Sequence, residues 1–127
     1  MSESLGVTVL RKVAEHLENN PGSWCQGIGD LHQVMRQDSS AIVSALQTPG
    51  TQGCLYTLIG CFAGTLCEEP ARQIAIDEAV RTLCRKYGMS DSPGSVMKLN
   101  DDVCTAPSMA ARLVRRALAK QREHVRA

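Results

Sequence analysis

Apolar residues recur at four-residue spacing from Leu5 through Val9, Val13 and Leu17, with Arg11, Glu15 and Glu18 on the other side. This period predicts an amphipathic helix over about residues 4–19. The turn-forming run Asn19-Asn20-Pro21-Gly22 ends it. A different pattern occupies residues 54–67, which hold no charge and no proline. As a helix this stretch spans about 21 Å, short of a bilayer core of about 30 Å. It reads instead as the buried central helix of a bundle, with Gly60, Ala63 and Gly64 letting neighbouring helices approach closely. A further stripe of Ile76, Val80, Leu83, Cys84 and Tyr87 predicts a helix over 70–87. Glu68-Glu69-Pro70 opens it, acidic side chains suiting the positive end of the helix dipole, and Gly88 stops it. Asp77 and Arg81 are placed for an i,i+4 ion pair on its wet side. Finally, Ala110, Leu113, Val114, Ala117 and Leu118 form the apolar face of a last helix over about 105–124.

Between these periodic stretches lie two weaker ones. Residues 22–53 read as irregular, apart from a short helix through Leu46 capped by Asp38 or Ser39. Residues 89–104 read as a connector broken at Ser92-Pro93-Gly94. No internal repeat is visible. The elements sum to an all-α, compact single-domain helical bundle of residues 1–127.

Composition agrees with this. Aromatic residues are 3% of the chain, so Leu, Val, Ile, Ala, Met and Cys must build the core, which favours helix packing over a β-sandwich. The 127 residues suffice to bury roughly two-thirds of the unfolded surface. A formal net charge of +1 argues against a protein that binds polyanions with its whole surface. The N-terminus has no basic region followed by an apolar run, so neither an export signal nor membrane insertion is expected, and the cytoplasm is the expected location. In that setting the six cysteines are expected as reduced thiols. They form no Cys-x-x-Cys pair, and Cys54 and Cys61 stand two helical turns apart, about 10 Å, too far to share a zinc ion. Neither a metal nor another cofactor is expected.

Three short segments then carry a resemblance. Trp24-Cys25-Gln26-Gly27 follows the first helix, Cys61-Phe62-Ala63-Gly64-Thr65-Leu66 lies in the central one, and Leu99-Asn100-Asp101 precedes the last. In order and approximate spacing the chain resembles a family of small helical domains of unknown function found in actinobacteria and their phages. That family has Trp-x-Gln-Gly, Cys-x-x-Gly-x-Leu and Trp-Asn-Asp at these places. Leu99 stands where the family has tryptophan, so a stacking role does not carry over to that position. The resemblance implies a helical fold and an actinobacterial or phage source, and it implies no chemistry.

Several side chains remain as functional candidates. Gln26, Asn100 and Asp101 flank the apolar helix and converge either on a pocket walled by Trp24 or on the closure of loops, where they would satisfy backbone groups. Cys25 is the best-placed thiol for a nucleophile, with His32 as base and Asp101 orienting it, as a cysteine-dependent hydrolase would require. Gly27-Ile28-Gly29-Asp30-Leu31-His32 begins like a phosphate-cradling loop but lacks the final glycine. Charge is the clearest signal. Residues 105–127 carry six cations against Glu123 alone, a net +5 that leaves −4 for the remainder. These charges also suit the C-terminal end of the helix dipole and read as an ordinary solvated face; if they make contacts, Arg112, Arg115, Arg116 and Lys120 are the expected ones, for an acidic protein partner, nucleic acid or an anionic membrane surface. The scarcity of aromatics for base stacking favours the protein partner. The leading expectation is a monomeric, non-enzymatic interaction module, phage-encoded and acting on a host protein. A nucleic-acid-binding regulator comes next.

Overall fold

The computed structural model describes residues 3–126, with side chains through residue 119. Six α-helices account for most of these: α1 (Leu5–Asn19), α2 (Ser39–Gln47), α3 (Leu55–Leu66), α4 (Ala71–Lys86), α5 (Pro93–Lys98) and α6 (Pro107–Arg126). The fold is compact and all-α. Among the described residues the sole strand-like pairing is an isolated parallel bridge between Trp24 and Gly53. No helix among them is long and apolar enough to cross a membrane.

Local chemistry sets the helix ends. Ser4 caps α1 by accepting from the Val7 N–H at 3.2 Å, and Asp38 caps α2 by accepting from the Ala41 N–H at 2.9 Å. Cys54 caps α3 in the same way, its sulfur accepting from the Thr57 N–H at 3.5 Å. Gly88, at φ +66°, closes α4 while the Met89 N–H returns to the Cys84 carbonyl at 3.0 Å. The expected opening of α4 is corrected. Glu68, Glu69 and Pro70 precede the helix, and Pro70 is its N-cap. The Asp77–Arg81 pair is replaced too. Asp77 accepts from Gln73 at 3.0 Å, and Arg81 lies 3.9 Å from Asp91 across the turn after α4.

The connector over 89–104 is also more regular than its composition predicts. Ser92 caps α5, which runs directly into one wide π-type turn, Leu99–Val103, closed by the Cys104 N–H on the Leu99 carbonyl at 3.1 Å. The segment 22–53 is a long loop pinched at its ends. At the Trp24–Gly53 bridge the Cys25 N–H donates to the Gly53 carbonyl, and the Gly53 N–H to that of Ser23. A short 3₁₀ turn (Asp30–Gln33) and α2 lie in the interval, and a second such turn (Pro21–Ser23) leads into it.

Helix α3 is buried along most of its length, from Leu55 to Gly64. Its flanks are covered by α1, α4, α2 and α5, while α6 lies chiefly across α1 and α4. Its glycines serve a different purpose from the expected one. Gly60 faces the side chain of Met35 and Gly64 that of Ile42, so α3 receives inserted side chains. Backbones meet closely at Gly6 of α1, whose place for a Cβ is filled by Glu78 Cβ and the Ala79 nitrogen of α4. Leu17, Leu58, Ile59, Leu83, Val96 and Val114 bring residues of five helices into one continuous apolar core.

Candidate functional site

The pinch at Trp24–Gly53 places Trp24 beside the start of α3, and the π-type turn brings Asn100 to the same place. Asn100 is fully buried, and its amide is fully used. Its Oδ1 accepts from the Trp24 indole N–H at 2.6 Å and from the Leu55 N–H at 3.0 Å. Its Nδ2 donates to the Cys25 carbonyl at 3.0 Å and to the Asp101 carboxylate at 2.9 Å. Gln26 completes the seam, its Nε2 donating to the carbonyls of Asp101 at 3.0 Å and Cys104 at 2.9 Å. Asp101 accepts from the Gly27 N–H at 2.8 Å, so its carboxylate faces this loop.

Trp24, Gln26, Asn100 and Asp101 of the two motif segments therefore meet in one cluster at the start of α3. The Trp24 N–H, the Gln26 Nε2, both ends of the Asn100 amide and the Asp101 Oδ1 are spent on one another and on backbone groups. Asn100 relieves one of the orphan N–H groups at the start of α3, and Gln26 relieves carbonyls of the turn. The arrangement is a clamp joining residues 24–27, 55 and 99–104. Trp24 packs into the core with its N–H satisfied.

The same geometry bears on the thiol. Cys25 is half-buried, and burial comes first among the influences that raise its pKa, followed by the neighbouring Cys54, Asp30 and Asp101. An activated nucleophile needs the opposite environment. His32 stands exposed on a 3₁₀ turn, and Asp101 directs its Oδ1 to the Gly27 N–H and the Asn100 amide; no hydrogen bond joins it to His32 among the described residues. Burial likewise pushes the Cys61 thiol up to about 12 and the Cys104 thiol up to about 11. In the Gly27–His32 loop, the Asp30 carboxylate accepts from the Gln52 N–H at 2.7 Å, which ties the loop to the chain just before α3. Among the described residues, no group of three His, Cys, Asp or Glu side chains is placed to hold a metal ion.

The arginines of α6 divide. Arg115 is bound to α1 through a two-pronged contact with Glu18, Nε at 3.0 Å and Nη2 at 2.8 Å. That hydrogen bonding holds the Glu18 carboxyl below its ordinary value and raises the guanidinium. Arg112 and Arg116 are exposed, and neither has an ion-pair partner among the described residues. The side chain of Lys120 lies outside the described residues. On its inner side, α6 buries Ala110, Ala111, Leu113, Val114, Ala117 and Leu118, and Tyr87 donates from its hydroxyl to the Leu113 carbonyl at 2.6 Å.

Two open grooves flank α1, and neither is anticipated by the motif segments. One, of about 580 Å³, runs between α1, α2 and α3 and includes Lys12, His16, Val43, Leu46, Phe62 and Leu66. The other, of about 500 Å³, lies between the end of α1 and the start of α6 and includes Leu17, Glu18, Pro21, Ala111, Arg112 and Arg115. The first has a sequence signal, since Lys12, His16 and Asn20 recur at four-residue spacing beside the buried stripe of α1. The second needs two helices distant in sequence and has none. No family of known proteins, no curated protein and no solved structure shows significant similarity to this chain.

Proposed function

We propose that this chain is a small helical interaction module of the cytoplasm that acts as a monomer and binds an acidic partner protein through the outer face of α6. One observation carries the reading: Arg112 and Arg116 project from a helix sealed into the core on its other side, with no carboxylate of the described residues neutralising them. Fixed cations without internal partners steer an oppositely charged surface and are available to pair with it. Arg115 contributes less to such steering, because Glu18 already offsets it. The family resemblance adds the proposal that the partner is a host protein met by a phage product.

The test is a pull-down with the tagged chain, with and without nuclease, beside an Arg112→Glu/Arg116→Glu variant. A discrete protein that survives nuclease and is lost with the variant supports the reading. Recovery of nuclease-sensitive material alone moves the assignment to nucleic acid. Affinity for duplex DNA would then fall with rising salt, by a log–log slope of about −0.9 per phosphate neutralised.

A further inference from the structure

We infer that the groove between α1 and α6 is the seat for a carboxylate of the acidic partner together with an adjacent apolar side chain, and that Glu18 holds the carboxylate position in the free protein. The inference rests on the proposed interaction module and names the chemistry of its contact.

The groove's volume of about 500 Å³ falls within the range of about 300–1,000 Å³ typical of clefts that hold a ligand. Its floor is apolar, made by Leu17, Pro21 and Ala111, and its rim is cationic, made by Arg112 and Arg115. Such a surface matches a peptide segment in which an acidic residue adjoins an apolar one. The Glu18–Arg115 contact shows how the acid binds. Arg115 presents two N–H groups to two carboxylate oxygens at 2.8 and 3.0 Å, the planar fork geometry that carboxylates take.

Glu18 reaches this position from the neighbouring helix, and both partners stay partly exposed, with side-chain exposures of 39% for Arg115 and 44% for Glu18. A pair this open to water separates readily. An incoming carboxylate therefore replaces Glu18 on Arg115 without changing the number of charge pairs there, and the cationic Arg112 on the same rim adds to its attraction. A nucleic-acid strand fits less well, because the floor offers no aromatic face for a base.

The experiment is titration of the ¹⁵N-labelled full chain with an acetylated, amidated Leu-Glu-Leu-Glu-Leu peptide, followed by NMR, with the Leu-Gln-Leu-Gln-Leu peptide as control. The expected result is saturable shifts at the Leu17 and Ala111 amides and at the Arg112 and Arg115 side-chain Nε–H signals. The glutamine peptide should bind at least about tenfold more weakly, as should the chain carrying Arg112→Ala. Glu18→Gln, which frees Arg115 of its internal competitor, should tighten binding several-fold with unchanged far-UV circular dichroism. Unchanged or weaker binding by a folded Glu18→Gln chain overturns the stand-in role. Shifts confined to the outer face around Arg116 overturn the groove while leaving the interaction module standing. If no peptide binds and a DNA duplex does, the underlying reading fails as well.

Discussion

Asn100 accepts from Trp24 and Leu55 and donates to Cys25 and Asp101, so truncating it strands several buried polar groups at once. Stranding costs more than the net worth of a hydrogen bond, because each group keeps its desolvation penalty. We expect Asn100→Ala to destabilise the fold by about 3 kcal/mol or more. Trp24 is the sole tryptophan, so urea unfolding followed by its emission reads the clamp directly. His16 makes a second residue-scale case. Its Nε2 is buried without a hydrogen-bond partner among the described residues, and burial lowers its pKa from 6.5. A base whose folded pKa is depressed supports stability above its unfolded value, and that support is lost as pH falls from there through the folded pKa. Stability of the native chain should therefore decline as pH drops below 6.5, while a His16→Leu chain, with nothing to protonate there, should lose less. Denaturant midpoints across a pH series check this. At this scale the clamp residues stood out in the sequence as polar groups beside an apolar helix. Their mutual pairing did not, because it joins positions about 75 apart in the chain.

Helices of this protein differ in how they tolerate a methyl group, and the difference follows from what faces each glycine. Gly6 meets the backbone of α4, which cannot turn aside, and its own N–H donates to Glu78 at 3.2 Å. Gly60 and Gly64 meet the ends of Met35 and Ile42 side chains, which can rotate. Gly6→Ala should cost about 1–3 kcal/mol through overpacking. In Gly60→Ala the gain in helix propensity, about 1 kcal/mol, should offset much of the repacking. Thermal melts of the two variants side by side decide it. The α6 charges give the complementary expectation. Arg112→Glu/Arg116→Glu should leave stability within about 0.5 kcal/mol, whereas Arg115→Ala should cost about 0.2–1 kcal/mol as the exposed Glu18 pair is lost. Urea midpoints measure both. Periodicity located α1, α4 and α6 to within two or three residues, since a buried stripe on a helix must repeat with its turn, and the charge-free run located α3 as closely. It missed α5, whose six residues are too few to show a period.

Taken as one molecule, the bundle sorts its thiols by depth. Cys25 and Cys67 are half-buried, while Cys54, Cys61, Cys84 and Cys104 are buried. With the Cys61 and Cys104 thiols raised to about 12 and about 11, neither supplies thiolate near neutral pH. A thiol reagent at pH 7.5 should label Cys67 and then Cys25, and should reach Cys61 and Cys104 only on unfolding. Mass spectrometry of a labelling time course measures the order. Rapid labelling of Cys25 would restore the nucleophile reading. The sequence by itself determined the helical class, the main helix positions and the charge concentrated at residues 105–127, because amphipathic period, capping residues and formal charge are local properties. Only the tertiary structure decided which polar groups remain available. It drew Trp24, Gln26, Asn100 and Asp101 into a clamp, tied Arg115 to Glu18, and left Arg112, on the rim of an apolar groove, and Arg116 without an ion-pair partner among the described residues. Pairing is a matter of distance in space, and Glu18 and Arg115 lie 97 residues apart until α1 and α6 pack together.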